Sequence, residues 1–186
     1  MSIFDDFNDD ELEPEESKRA VPQAIIDATL RLPDLSPEGL TVLEPACDMA
    51  PFCAVSNELG AKHTTGLDLK DLPEAECNIL IQANFLNYET RKRYDLIMCW
   101  PPWADTIQFI EQAFRFLAKD GRVIVFQKMN ILGGLCRYQF WKAGHLTDVI
   151  TTHSRVVLDG SRKEMQEYGF FVFTPKTDNS ARLRWI

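Results

Sequence analysis

From Leu40 onward, short apolar runs alternate with stretches whose apolar residues recur at helical spacing. That alternation predicts β-α units stacked around a mostly parallel sheet. The spacing predicts strands over Leu40–Leu43, His63–Leu67, Ile79–Ile81, Tyr94–Cys99, Arg122–Phe126, Asp148–Thr152 and Tyr168–Phe173. Helices are predicted over Phe52–Leu59, Thr106–Leu117 and Leu135–Lys142, with Ile107, Ile110, Ala113, Phe114 and Leu117 on one face of the second. Lys119-Asp-Gly121 reads as the turn that follows it. An earlier helix opens at Val21-Pro22 and runs to about Arg31, because a first helical turn tolerates proline and Pro33 then stops the chain. The last two strands flank the polar stretch Asp159–Glu167, so the sheet is expected to finish in an antiparallel hairpin.

Charge divides the chain in two. Residues 1–16 hold eight Asp or Glu and no Lys or Arg, which accounts for the whole formal charge of -8; the other 170 residues balance 20 acids against 20 bases. Residues 1–18 therefore read as an acidic, disordered tail, and 19–186 as one domain. The tail is a solubilising arm or, alternatively, a contact for a protein partner or a competitor for a basic cleft. Five cysteines (Cys47, Cys53, Cys77, Cys99, Cys136) make no C-x-x-C pair, and His63, His145 and His153 show no ligand spacing. Neither a disulfide framework nor a metal site is expected. With no apolar run near the ~18 residues that cross a bilayer, no membrane association and a cytoplasmic location are expected.

Ligands of open α/β sheets bind at the carboxyl ends of the strands. After the first strand comes Glu44-Pro-Ala-Cys-Asp-Met-Ala-Pro-Phe52, a turn of mostly small residues leading into a helix, which is either an ordinary link or a place where backbone approaches a ligand. Asp68, followed by Leu69, ends the second strand, where a carboxylate can accept from a ribose diol or stand exposed. Cys99-Trp-Pro-Pro-Trp103 ends the fourth. Two prolines cannot continue a central strand, and the indoles either stack on a base or cap the core. No G-x-G-x-x-G follows a strand, which disfavours a dinucleotide enzyme.

The order of these segments resembles the class I S-adenosylmethionine (AdoMet) methyltransferases, in particular the small phage and prophage enzymes that methylate adenine N6 or cytosine N4. Their first turn, D/E-P-x-C-G-x-G-x-F, is similar to Glu44, Pro45, Ala46, Cys47, Asp48, Ala50 and Phe52. Asp68 and Leu69 stand where the family binds the AdoMet ribose, and Asn84-Phe85 where a D-F or D-L pair meets its adenine. Trp100-Pro101-Pro102-Trp103 matches the catalytic D/N/S-P-P-Y/W/F motif, and Ala20-Val-Pro22 resembles the T-P that opens the preceding helix. The resemblance also covers Val123–Leu132, Arg137–Trp141, Ser154-Arg155 and Tyr168–Phe173.

It implies a Rossmann-like, seven-stranded sheet with helices on both faces, AdoMet as cofactor, and methyl transfer to an exocyclic amine of a nucleic-acid base, DNA and adenine N6 first. Four departures bear on chemistry. Trp100 stands where the family places an acceptor for the amine, and an indole N–H only donates. Asp48 and Ala50 replace two glycines, and Asn84 replaces an acid. The same departures fit two other readings, a catalytically inert methyltransferase fold that binds or regulates, and a methyltransferase acting on a small molecule or protein. Arg155, Arg162 and Lys163 flank a loop that either contacts phosphate or is simply solvated.

Overall fold

A computed structural model describes residues 21–152, 167–175 and 180–186. The acidic tail, His153, Ser154-Arg155, Arg162 and Lys163 lie outside the described residues, as does Ala20.

The chain forms α1 (Gln23–Leu30), β1 (Thr41–Pro45), α2 (Pro51–Glu58), β2 (His63–Asp68), β3 (Ile79–Gln82), β4 (Tyr94–Cys99), α3 (Thr106–Phe116), β5 (Leu117–Lys128), α4 (Tyr138–Lys142), β6 (Leu146–Thr151), β7 (Tyr168–Phe173) and β8 (Arg182–Trp185). One sheet holds all eight strands in the order β3-β2-β1-β4-β5-β7-β6-β8. Strands β1 to β5 run parallel, and β7 lies antiparallel between β5 and β6.

Helices cover both faces, as their apolar stripes require. Ile26 and Leu30 of α1 and Phe52 and Val55 of α2 pack with Val42, Met98 and Phe126 on one side. Phe109, Ile110, Ala113 and Phe116 of α3 pack with Leu43, Ile97 and Val125 on the other. The buried stripe of α3 is rotated from the expected one: Phe109 and Phe116 are inside, whereas Ile107 and Phe114 are only partly covered. Gln112 rides in this stripe because its amide donates to Phe85 O and Tyr88 O, at 3.1 and 2.9 Å.

Two expectations need correcting. No turn separates α3 from β5, which begins at Leu117 and takes up the excess chain as a register shift opposite Tyr94 and Leu96. Gly121 is needed there, since a Cβ would stand 2.9 Å from Asp95 O. The sheet has eight strands rather than seven. β8 pairs parallel with β6 and forms an edge beyond the β6-β7 hairpin. Arg182 and Arg184 fasten it by reaching Asp34, at 2.9 and 3.0 Å, and the buried Asp148, at 2.8 and 3.4 Å.

No described helix is long and apolar enough to cross a membrane, and no described residues group as a metal site. All five cysteines are free thiols. His145 packs against Phe114 at 5.0 Å, with Nδ1 3.2 Å from Thr174 O.

Candidate active site

The order β3-β2-β1-β4 sets the carboxyl ends of four parallel strands side by side, about 4.8 Å apart. Three of the sequence-predicted segments meet along this edge.

At the end of β1, the backbone takes left-handed values at alternate residues, with φ of 53° at Ala46, 45° at Asp48 and 58° at Ala50. These are the only non-glycine residues with positive φ among those described. Each costs about 1 kcal/mol or more in an L-residue, somewhat less for Asp. Several contacts hold the turn in place. Cys47 N donates to Leu67 O at 3.1 Å, Ala50 N to Cys47 O at 2.6 Å, and Glu76 N to Met49 O at 3.3 Å. Cys47, Ala50 and Cys53 pack with Ala75, Cys77 and Leu80, so the chain after β2 folds against the turn. Gly66 makes room for this packing, because a Cβ there would sit 2.9 Å from Cys77 Sγ and 3.0 Å from Cys47 Sγ.

Glu44 lies beneath the turn, 2% exposed. Its Oε2 accepts from Cys53 N at 2.7 Å in the first turn of α2. Burial outweighs this bond and a second from Phe52 N–H, and pushes the carboxyl up to about 8. Burial also drives the Cys47, Cys53 and Cys99 thiols well above their ordinary value, so they are protonated at neutral pH.

At the end of β2, Asp68 Oδ2 accepts from Asp48 N at 3.1 Å and Oδ1 from Lys70 N at 3.0 Å. Two of the roughly four acceptor positions of a carboxylate are thereby used. Beside it Leu69 is 68% exposed, and Met49 of the turn 48%. Ala83 N donates to Asp68 O at 2.8 Å, which brings Asn84 to the same edge. Asn84 is exposed, its Oδ1 accepts from Leu86 N at 2.9 Å, and its NH2 makes no hydrogen bond among the described residues. Phe85 is not at the edge. It is buried against Phe109 and Phe116, ring centroids 5.1 and 6.0 Å away. Phe52 and Pro45 are likewise buried, Phe52 edge-on to Phe170 at 6.4 Å.

At the end of β4, the two indoles of Trp-Pro-Pro-Trp diverge. Trp100, half-buried, packs on the α1-α2 side of the sheet and meets Phe126 and Tyr168 edge-on at 5.6 and 6.0 Å. Trp103, half-buried in a 3-10 turn, packs on the α3 side, with the Arg137 guanidinium 5.1 Å and Lys128 Nζ 5.7 Å from its ring centre. The prolines between them are pinned by Gln127, which sequence reading missed. Its Nε2 donates to Pro101 O at 3.2 Å and to Thr106 Oγ1 at 3.0 Å, and its Oε1 accepts from Lys128 N at 2.9 Å. Thr106 Oγ1 in turn donates to Pro102 O and Trp103 O, at 3.2 and 3.1 Å. A buried Gln facing a proline turn leaves no local mark in sequence, because Gln127 lies 26 positions beyond Pro101, across α3 and one strand register.

No protein-family model matches the chain, and neither does any curated protein sequence. Solved structures do share its fold. A Listeria monocytogenes protein assigned as a class I S-adenosylmethionine-dependent methyltransferase aligns with a TM-score of 0.69 over 94% of this chain and 68% of that one, at 15% identity. A Pyrococcus horikoshii protein assigned as an RNA methyltransferase aligns at 0.64 over 90% and 92%, with 14% identity. The modification subunit assigned to a type I restriction enzyme of Vibrio vulnificus aligns at 0.64 over 90% of this chain and 47% of that subunit, with 13% identity. The chain therefore has the class I methyltransferase fold.

Proposed function

We propose that this chain is an AdoMet-dependent methyltransferase that acts on an exocyclic amine of a nucleic-acid base, adenine N6 foremost. The observation that carries the cofactor half is the strained turn. Three left-handed residues in a span of five are costly, and Asp68 ties that conformation down through Asp48 N. Strain of this kind is retained where a site needs it. The residues present fit the cofactor. Asp68 keeps acceptor positions for a ribose diol, Leu69 offers an exposed apolar side chain beside it, and Asn84 has a free amide NH2 for a ring nitrogen. Asp48 fits less well, since its carboxylate adds negative charge where the resemblance places that of AdoMet. When bound, AdoMet supplies an electrophilic methyl group.

This chain's residues would supply position. Gln127 and Thr106 fix the proline carbonyls at the mouth of the site, so the rate effect rests on alignment of amine and donor. Support for a nucleic-acid substrate comes from the Pro-Pro turn itself and from its resemblance to the amino-group enzymes.

A second reading, an inert fold kept for binding, has its own observation. Trp100 is an indole packed against Phe126 and Tyr168, and Pro101 O already accepts from Gln127, so both acceptors that the resemblance assigns to the amine are changed or engaged. Transfer to a small molecule or protein is the third reading.

Calorimetry with AdoMet followed by tritiated-methyl transfer to unmodified DNA and RNA separates the three. Binding with label in nucleic acid is the expected result. Binding without transfer to any acceptor gives the inert reading, label in protein or small molecules gives the third, and no heat at millimolar AdoMet overturns the proposal.

A further inference from the structure

The connection from β5 to β6 departs from the rest of the chain in composition. From Gly121 to Thr147 there is no Asp or Glu, in a protein that carries 28, while Arg122, Lys128, Arg137 and Lys142 fall within the same span. The last three of these lie at or beyond the carboxyl end of β5, and Lys128 and Arg137 lie over the ring of Trp103. Apolar side chains stand out among them: Leu135 is 91% exposed, Tyr138 54% and Leu132 40%. A connecting loop ordinarily turns such residues inward or replaces them with polar ones.

The loop is nevertheless held firmly. Arg137 Nε donates to Ile131 O at 3.1 Å and Gly133 O at 2.9 Å, and Trp141 Nε1 donates to Ile131 O at 3.1 Å. Gly134, at φ 98°, leaves the space that Arg137 Nη2 occupies, since a Cβ there would stand 2.8 Å away. Arg137 is thus fixed through Nε and through the face of Trp103, while its two Nη groups make no hydrogen bond among the described residues. Lys142 Nζ lies 6.0 Å from the ring centre of Tyr138. Asp120 and Asp148 adjoin the span in sequence, the carbonyl of Glu167 accepts from Met129 N, and Asp105 closes the 3-10 turn of Trp103.

We propose that the surface formed by Leu132–Lys142 and Trp103 receives the nucleic-acid strand flanking the target base. Arg137 and Lys142 contact its phosphates, and Leu135 and Tyr138 contact its sugars and bases. The inference rests on the nucleic-acid reading above and deepens it. Charge complementarity selects the partner: an acid-free span with cations fixed on aromatic rings suits a polyanion carrying flat bases. With guanidinium already over Trp103, Tyr138 rather than Trp103 is the exposed aromatic ring offered to a neighbouring base.

The test is anisotropy of labelled 20-mers, as single-stranded DNA, duplex DNA and RNA, titrated between 50 and 200 mM salt. Two variants are compared with the wild type, Lys142→Gln alone and Arg137→Gln with Lys142→Gln. Among the described residues Lys142 contacts the ring of Tyr138, so its replacement leaves the fold intact even if loss of Arg137 loosens the loop. Each lost phosphate contact lowers the slope of log affinity against log salt by about 0.9 on a duplex and about 0.7 on a single strand. For the double variant on duplex, affinity lost over the fourfold salt range shrinks by about 12-fold, and Leu135→Ser weakens binding with the slope unchanged.

AdoMet calorimetry on the same samples keeps the two ideas apart. AdoMet binding without wild-type affinity for any 20-mer, or salt slopes unaltered in both variants, overturns the surface. Salt slopes that fall as stated without AdoMet binding leave the surface standing and remove the enzyme reading. A dimer in sedimentation that Leu135→Ser converts to monomer, with slopes unaltered, gives the surface to a second copy of the chain and likewise overturns the proposal.

Discussion

Glu44→Gln isolates the largest electrostatic feature of the site. The carboxyl ordinarily titrates at 4.5 and is pushed up to about 8 by burial, which exceeds the opposing bonds from Cys53 N–H and Phe52 N–H. For an acid with a raised folded value, the native state holds its proton where the unfolded chain has released it. Stability therefore falls as pH rises from about 4.5 to about 8 and is flat above. Between pH 6 and pH 9 the unfolded carboxyl is ionised throughout, while the folded one crosses its midpoint. At about 1.4 kcal/mol per pH unit, the wild type loses about 3 kcal/mol over that interval from this group alone. Glutamine keeps an oxygen to accept from Cys53 N and cannot ionise, so the variant lacks the loss. Urea unfolding of both proteins at pH 6 and pH 9 reads the difference directly, and titrations shared by the two cancel. The variant should gain about 3 kcal/mol on the wild type across the interval, or about 6 to 12 °C in melting temperature for a chain of this size. A difference between the proteins that stays within about 0.5 kcal/mol at the two pH values would refute the buried neutral carboxyl.

Gln127→Leu leaves Pro101 O and Thr106 Oγ1 without their shared donor in a buried place; at about 1 to 3 kcal/mol for each of the two groups stranded, a loss of about 2 to 6 kcal/mol is expected in urea with an unchanged m value. A loss under about 1 kcal/mol would show that the proline turn does not depend on this network. Asp48→Gly removes an exposed carboxylate and a left-handed non-glycine residue at once, so AdoMet should bind about fivefold tighter by calorimetry; weaker binding would mean that Asp48 makes a favourable cofactor contact. Trp100→Asn, which supplies an acceptor by sequence reasoning alone, removes a half-buried indole packed by Phe126 and Tyr168 and should cost about 1 to 3 kcal/mol of stability, read by thermal melting, whether or not activity appears.

Most strands and helices were legible because periodicity is local. Tyr94–Cys99 and Tyr168–Phe173 coincide with their predicted spans, and β2 runs one residue past its own, to Asp68. The candidate site was legible as a set of segments, because strand ends and turn residues announce themselves one by one in sequence. β8 was missed since Arg-Leu-Arg-Trp carries little strand signal of its own; it is held by ion pairs to Asp34, 148 and 150 residues away in the chain. The stripe of α3 was misplaced by about one residue because both Phe109 and Phe114 satisfy a 3.6-residue period, and only packing against Phe85 selects the first.

The sequence by itself determined the class of fold, the strands whose ends form the candidate site, and the balanced charge of residues 17–186 behind an acidic start. Tertiary structure decided what each side chain at those ends does. Trp100 and Trp103 flank the same two prolines in sequence, but the fold packs one indole against Phe126 and Tyr168 on one face of the sheet and sets the other under Arg137 on the opposite face. Glu44 is an ordinary acid in sequence and a neutral one beneath the turn, because only the folded chain removes it from water.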